Sequence, residues 1–317
     1  MLGLLKELKN FGRVRANAPL AKYTTFKIGG PAEWLVEVSD NDQLVALLNF
    51  VSGEGIPYFI LGGGSNLLLP DEGLPGVVVR NLVSAARAEG DKLAASAGYS
   101  LGDWVNLSVA HSLTGLEWAA GIPGTVGGAV RGNAGARYAT AQGELKDFII
   151  SVTAWRDGEV VELTAAECEF GYRDSIFKHG PDVVLAARIQ LAPGRTADSL
   201  AITQQIIAER RAKQARAPSA GSFFKNVFLT EWKRDPAELP ERFRQYQKIA
   251  AGWLIEQAGL KSYRVGGAQV SSEHANFIVN LGGATQTDVL AVAEEAQRRV
   301  YDKFGVALEP EVMVVRP

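Results

Sequence analysis

Residues 121–135 read GIPGTVGGAVRGNAG, six glycines and one proline in fifteen residues. Glycine at that density lets a backbone approach a ligand closely and turns N–H groups toward an anion. The stretch fits neither GxxxxGK[ST] nor GxGxxG, so the usual nucleotide loops do not account for it. A second glycine cluster, LGGGSN at Leu61–Asn66, lies upstream. Two such loops in one chain point to a large phosphate-bearing ligand held from two sides, although LGGGSN by itself would also serve as a plain tight turn.

The rest of the composition narrows the classes. A chain of 317 residues predicts two or three domains, and 47% apolar with 21% charged residues is ordinary for a globular protein with real cores. A net charge of −2 gives no reason to expect nucleic acid or an anionic membrane as partner. Cys168 is the single cysteine, which excludes an intramolecular disulfide and fits a reducing compartment; it is expected as a small buried hydrophobe. The first residues carry Lys6, Glu7 and Lys9, so they lack the apolar core of a signal peptide. No run approaches the roughly 20 apolar residues of a membrane span. A cytoplasmic protein is expected. His111, His179 and His274 are far apart and Cys168 has no partner at ligand spacing, so no metal site is expected.

Short elements follow one another along the chain. Ala32–Val38 reads as a strand, Asp40–Val51 has the helical spacing of Leu44, Leu47 and Leu48, and Pro57–Leu61 runs straight into LGGGSN. Val77–Arg80 is a further strand after Gly73–Gly76. Lys92–Ala97 is a strand, Leu101–Ser112 a helix, and Phe148–Trp155 with Glu159–Leu163 a hairpin about Asp157-Gly158. With Val183–Leu191, these many short strands predict an α+β fold rather than a doubly wound sheet. Beyond them Asp198–Arg211 is predicted helical, with Asp198 or Ser199 as N-cap. Glu231–Gln247 reads as a polar loop or weak helix. Ile249–Ala258 is a helix closed by Gly259, and Thr287–Phe304 an amphipathic helix capped by Gly305. These suit a separate α/β domain beginning near residue 200.

Four further clusters could carry chemistry. FGYRDSIFK (Phe170–Lys178) holds Arg173, whose planar fork suits a carboxylate or phosphate. AGSFFKN (Ala220–Asn226) presents Ser222, Lys225 and Asn226; the GxSxG elbow of serine hydrolases is absent, and a serine acts as proton donor only toward a reactive carbanion. VGGAQVSSEHANFIVN (Val265–Asn280) offers Gln269, Ser271 and His274, with a bulge or close backbone approach at Gly266-Gly267. LEPEVMVV (Leu308–Val315) sets Glu309 and Glu311 two apart, on one face of a strand, straddling Pro310. Taken singly these are also a surface turn, a turn-stabilising serine, a hairpin and a charged strand edge.

Their order is more specific than any one of them. YTTFKIGGPAE, ILGGGSNLL, GIPGTVGGAVRGNAGA, FGYRDSIFK, AGSFFKN, AAGWLIEQAGL, GGAQVSSEHANFIVN and LEPEV, from about Asn17 to Val314, resemble the UDP-N-acetylenolpyruvoylglucosamine reductase (MurB) family of cell-wall synthesis. The resemblance implies an α+β FAD-binding fold of the vanillyl-alcohol-oxidase/PCMH type. Its two subdomains would span residues 1–80 and 81–197. A C-terminal α/β substrate-binding domain would span 198–317, its last strand near 308–315 returning to the active site. Non-covalent FAD would lie on Tyr23, on Gly62, Gly63, Gly64, Ser65 and Asn66, and on Gly121, Ile122, Pro123, Gly124, Thr125, Gly127, Gly128 and Ala129.

The implied reaction has two halves. NADPH reduces FAD and leaves; UDP-N-acetylglucosamine enolpyruvate then binds, flavin N5 delivers hydride to C3, and a proton goes to C2, giving UDP-N-acetylmuramate for peptidoglycan. The family's serine falls on Ser222 as proton donor, its arginine on Arg173 and its glutamate on Glu311. Lys225 and Asn226, with Lys213, would approach the UDP diphosphate, and Gln269 is a further substrate contact. After Lys178 the chain passes quickly to Val183–Leu191, leaving no room for a tyrosine-bearing capping segment, which resembles the shorter subclass of the family. A monomer is expected. Competing readings are another FAD-dependent oxidoreductase of the same fold and a non-catalytic nucleotide-sugar-binding protein.

Overall fold

The computed structural model describes residues 2–316. Contacts group these into two units, one of Ala32–Gly63 and Leu74–Ala212 with the residues up to Ala18, the other of Pro19–Pro31, Gly64–Gly73 and residues from Lys213 onward. The boundary expected near residue 198 thus falls at Ala212/Lys213, and two short N-terminal segments belong with the C-terminal residues. The second of these crossings splits LGGGSN between Gly63 and Gly64.

The first unit holds two sheets. Strands Pro31–Val38 and Leu74–Asn81 are rich in β-branched residues and nearly continuously buried, as parallel strands covered on both faces are. They pair in parallel, and Tyr58–Leu61 pairs in parallel with Leu74–Asn81 on its other side. Helix Asn41–Gly53 makes the crossover, N-capped by the Asp40 carboxylate, which accepts from the amides of Asp42 and Gln43. Its Leu44, Leu47, Leu48 and Val51 pack on Val36, Val38, Val77 and Val79. The second sheet has five strands, all antiparallel where paired, in the order Glu159–Thr164, Ile149–Arg156, Val183–Gln190, Lys92–Ser96, Ala86–Glu89. Arg156 pairs with Glu159, so Asp157 and Gly158 alone make the turn, with φ of +49° and +94°. Two consecutive positive φ values match the right-handed twist of a hairpin, which is why Asp-Gly is favoured there. Helices Leu101–Ala110 and Val126–Arg131 pack in this sheet's core with Trp104 and Trp118.

Helix Thr196–Lys213 starts before either expected cap. Asp198 lies in its first turn, and Ser199 is buried inside it, donating its hydroxyl to Glu117 Oε1 at 2.5 Å. Ser199 therefore tethers the helix to a buried carboxylate instead of capping it. Only four residues, 179–182, separate the turn Ile176–Lys178 from strand Val183–Gln190, so no capping segment intervenes.

In the second unit helix Gln286–Phe304 lies against the antiparallel strands Arg264–Val265, Ala268–Val270 and Ile278–Asn280. Thr285 and Asp288 form its capping box and Gly305, at φ +69°, its C-cap. Gly266-Gly267 forms the two-residue hairpin turn, and Asp288 accepts the Gly267 amide at 3.1 Å. The polar stretch 231–247 contains two short turns and one helix, Glu241–Tyr246. No helix among the described residues is long and apolar enough to cross a membrane.

Cys168 is fully buried, and burial pushes its thiol up to about 11. Native protein at pH 8 is expected to leave this thiol unmodified by a disulfide reagent over the time in which denatured protein reacts with one equivalent. Equal rates in the two states would contradict the buried placement.

Candidate active site

The two glycine-bearing loops meet within the first unit. A Cβ on Gly62 would stand 2.7 Å from Thr125 Oγ1, and one on Gly63 2.8 Å from the Gly124 Cα, so side chains here would drive the loops apart. Their amides divide sharply. The N–H groups of Gly62, Gly63, Gly121 and Gly124 donate to nothing among the described residues. Those of Val126 and Gly127 are taken by the carbonyls of Tyr99 and Ala97, at 2.9 and 2.8 Å. Gly128 donates to Thr125 Oγ1 at 3.4 Å and the buried Ala129 to the Thr125 carbonyl at 2.9 Å. At the start of GIPGTVGGAVRGNAG the amides of Gly121 and Gly124 are therefore open to an anionic ligand, that of Ile122 being taken by the Ala119 carbonyl at 3.1 Å, whereas its middle is the capped helix Val126–Arg131.

The far end of the same stretch reaches Arg173. The Gly135 carbonyl accepts from the Arg173 guanidinium at 2.5 Å. Arg173 itself sits in the left-handed region, φ +57°, within a turn closed by Gly171 N–H to Asp174 O at 3.0 Å and Asp174 N–H to Gly171 O at 3.3 Å. A bulky side chain at positive φ is strained and persists only where its surroundings over-determine it. Here Lys178 Nζ donates to the Arg173 carbonyl at 2.6 Å, and Asn133 Nδ2 to the Gly171 carbonyl at 2.7 Å. Arg131 lies on the same side of the unit; burial lowers its pKa, opposed by the charge of Asp174.

In the second unit Ser222–Lys225 runs as a short strand with a partner on each edge. Phe223 N–H donates to the Asn276 carbonyl at 2.7 Å, and Ser222 bridges Phe277. The Asn276 side chain adds a rung of its own: Oδ1 accepts from Phe224 N–H at 3.0 Å and Nδ2 donates to the Phe224 carbonyl at 2.9 Å. On the other edge Glu311 N–H donates to Phe223 O at 2.8 Å and Lys225 N–H to Glu309 O at 2.9 Å, with Pro310 opposite Phe224. Ser222–Lys225 thus runs between Asn276–Phe277 on one edge and Glu309–Glu311 on the other, with Phe223 and Phe224 buried and their rings edge to face. The half-buried Ser222 hydroxyl makes no hydrogen bond among the described residues. Lys225 Nζ pairs with Glu309 Oε1 at 2.5 Å; the lysine side chain is 18% exposed and the glutamate 70%.

The remaining expected residues fall around this patch or apart from it. Asn66 Nδ2 donates to the Glu311 carbonyl at 3.1 Å, and strand Leu67–Leu68 pairs in parallel with Met313–Val314. Thr25 N–H donates to Gly64 O at 3.0 Å, joining the segment after Tyr23 to the Gly64–Asn66 half of the loop. Asn280 Nδ2 holds that segment through the Phe26 carbonyl at 3.1 Å. Asn226 Oδ1 accepts from Ala251 N–H at 3.2 Å, at the start of helix Ala251–Gln257. Gln269 Nε2 is turned to the Ser262 carbonyl at 3.1 Å, and Lys213 ends helix Thr196–Lys213, exposed. Burial lowers the pKa of His274, whose Nδ1 accepts from Asn276 N–H at 3.2 Å.

Sequence reasoning missed Asn133, Asn276 and Asn280. Their one signal was a lone asparagine closing a glycine-rich or strand-like run. It also left Glu309 without a role.

Residues 32–164 match the family described as FAD binding domain, and residues 213–315 the family described as UDP-N-acetylenolpyruvoylglucosamine reductase, C-terminal domain. The chain is 40% identical over 309 residues to the UDP-N-acetylenolpyruvoylglucosamine reductase of Synechococcus sp. (strain JA-3-3Ab), covering 96% of this chain and 92% of that one. It is 41% identical over 316 residues to the enzyme of that name from Caldanaerobacter subterraneus subsp. tengcongensis, covering 98% and 96%. The crystal structure of UDP-N-acetylenolpyruvylglucosamine reductase (MurB) from Thermus caldophilus matches with a TM-score of 0.74 at 34% identity, over 96% of this chain and 98% of that one.

Replacing Asn276 by Ala would leave the buried N–H and C=O of Phe224 without partners. A loss of about 2–4 kcal/mol in unfolding free energy is expected from denaturant titration; a change below about 0.5 kcal/mol would show that the side-chain rung is not what holds the strand.

Proposed function

The chain belongs to the UDP-N-acetylenolpyruvoylglucosamine reductase family, an FAD-dependent enzyme family of peptidoglycan synthesis, and on that premise we propose how its residues share the work of reducing UDP-N-acetylglucosamine enolpyruvate with NADPH. The chemistry FAD supplies when bound is two-electron transfer from the nicotinamide to the enolpyruvyl double bond. Every other part of the task falls to side chains and amides of this chain.

Gly62, Gly63, Gly121 and Gly124 hold the cofactor through amides that have no acceptor among the described residues. Tyr23, Gly64, Ser65, Asn66, Ile122, Pro123, Thr125, Gly127, Gly128 and Ala129 are the further cofactor-binding residues of this assignment. The residues after Ala212, together with Arg173, serve the UDP-sugar. Lys225 takes the diphosphate. Its present partner is Glu309, whose side chain is 70% exposed, so the carboxylate can swing into solvent when a phosphate takes its place. Asn226, Lys213 and Gln269 bind elsewhere along the nucleotide sugar.

Electrons arriving at C3 leave negative charge on C2 and its carboxylate. Arg173, a permanent cation, stabilises that charge; removing one such donor costs about 10²–10³ in rate at comparable sites. Glu311 orients the substrate carboxylate. Ser222 gives its hydroxyl proton to C2. An alcohol is a weak acid, but a carbanion conjugated to a carboxylate is a strong enough base to take its proton. The observation that carries this reading is the Ser222 hydroxyl, half-buried and without an acceptor among the described residues, next to Phe223, whose carbonyl accepts from Glu311 N–H. We take the enzyme as a cytoplasmic monomer without nucleic-acid or membrane partners, in keeping with a net charge of −2 and a single reduced cysteine.

Ser222→Ala separates the two halves of the reaction. Flavin reduction by NADPH is expected to proceed at the wild-type rate, while anaerobic reoxidation by the enolpyruvyl substrate slows by about 10²–10⁴-fold. Reoxidation at an unchanged rate would remove Ser222 as proton donor.

A further inference from the structure

Asn133 is fully buried, stands at φ +40°, and has no role in the reaction as described so far. All of its side-chain contacts go to two other loops. Nδ2 donates to the Gly171 carbonyl at 2.7 Å and to Glu144 Oε2 at 3.2 Å, and Oδ1 accepts from Lys146 N–H at 3.0 Å. Two residues on, the Gly135 carbonyl accepts from the Arg173 guanidinium. The segment Asn133–Gly135 therefore grips the arginine-bearing turn twice, once through the backbone that opens the turn and once through the cationic head.

We propose that Asn133 is a positioning residue for Arg173, holding the Gly171–Asp174 turn so that Arg173 keeps its left-handed backbone and its guanidinium stays aimed. The proposal rests on the assignment of Arg173 as the group that stabilises developing charge. The physical case is one of constraint. A two-residue turn with arginine at φ +57° is not the conformation its sequence prefers. The Gly171 carbonyl, already accepting from Asp174 N–H, needs a second fixed donor to stay in place, and a buried amide provides one with a single orientation. Asparagine is also among the few non-glycine residues that adopt positive φ readily, so side chain and backbone requirements coincide at position 133. The second half of GIPGTVGGAVRGNAG thus mounts the arginine, while its first half faces the cofactor.

Asn133→Gly keeps the permitted backbone and deletes the amide. In cofactor-free protein, hydrogen exchange should accelerate in peptides covering Gly171–Ser175 and not in the strand Ile149–Arg156. In the holoenzyme, flavin reduction by NADPH should be unchanged and reoxidation by the enolpyruvyl substrate should slow about ten- to a hundredfold at saturating substrate, the size of effect that a misplacement of about 1 Å produces. Arg173→Ala should slow the same step, and adding Asn133→Gly to it should slow it no further. Asn133→Asp, of the same shape, offers no donor to Gly171 when ionised but does when protonated, so its defect should shrink as pH falls. It serves also if the glycine variant does not fold. Multiplicative effects of Asn133→Gly and Arg173→Ala, equal slowing of both half-reactions, or unchanged exchange in the Gly171–Ser175 peptides would overturn the proposal. If Arg173→Ala itself leaves reoxidation intact, the role of Arg173 fails first, and the exchange measurement still reports whether Asn133 holds the turn.

Discussion

The paired hydrogen bonds between the Asn276 side chain and both main-chain groups of Phe224 keep the Ser222–Lys225 strand in register. That strand is too short to be held by a sheet. Its neighbours are single rungs: Phe277 and Asn276 on one edge, Glu309 and Glu311 on the other. A buried backbone group without a partner costs about as much as a lost hydrogen bond, so a functional strand of this length needs every rung. The asparagine carboxamide sets an N–H and a C=O side by side and supplies the rung that the chain path does not. Phe223 and Phe224 are buried, whereas Ser222 and Lys225 are only partly so.

The same device recurs at two further segments that carry candidate functional residues. Asn280 holds the Phe26 carbonyl, and so the segment after Tyr23; Asn133 holds the Gly171 carbonyl, and so the turn of Arg173. Each asparagine is nearly or completely buried. Polar groups in such positions stabilise only when satisfied, and these bond chiefly to backbone, which does not change rotamer, with the Glu144 carboxylate as a further acceptor at Asn133. The glycine loops solve the opposite problem. There the amides of Gly62, Gly63, Gly121 and Gly124 have no acceptor among the described residues, as expected where a ligand provides one.

Local signals carried most of the fold. Asp157-Gly158 specifies its hairpin because both residues tolerate positive φ, and Thr285 with Asp288 and Gly305 bound the last helix by capping chemistry. The glycine loops and the clusters around Arg173, Ser222 and Glu311 were visible because their residue types are unusual in company. What stayed hidden depends on distant pairings. Asn276 and Phe224 are 52 residues apart and Asn280 and Phe26 are 254 apart, and nothing in either neighbourhood marks the partner. The assignment of Pro19–Pro31 and Gly64–Gly73 to the unit of C-terminal residues is hidden for the same reason. Ser199 misled the placement of a helix start because a buried serine bonding a carboxylate looks, in sequence, like a cap.

The account stands or falls on one single-turnover measurement with the wild-type protein. Protein carrying its FAD is reduced anaerobically with one equivalent of NADPH and then mixed with UDP-N-acetylenolpyruvoylglucosamine. The account predicts full return of the oxidised flavin spectrum with one UDP-N-acetylmuramate formed per flavin. Protein that takes up no FAD, or reduced flavin that persists in the presence of this substrate and is reoxidised only by oxygen, would contradict it.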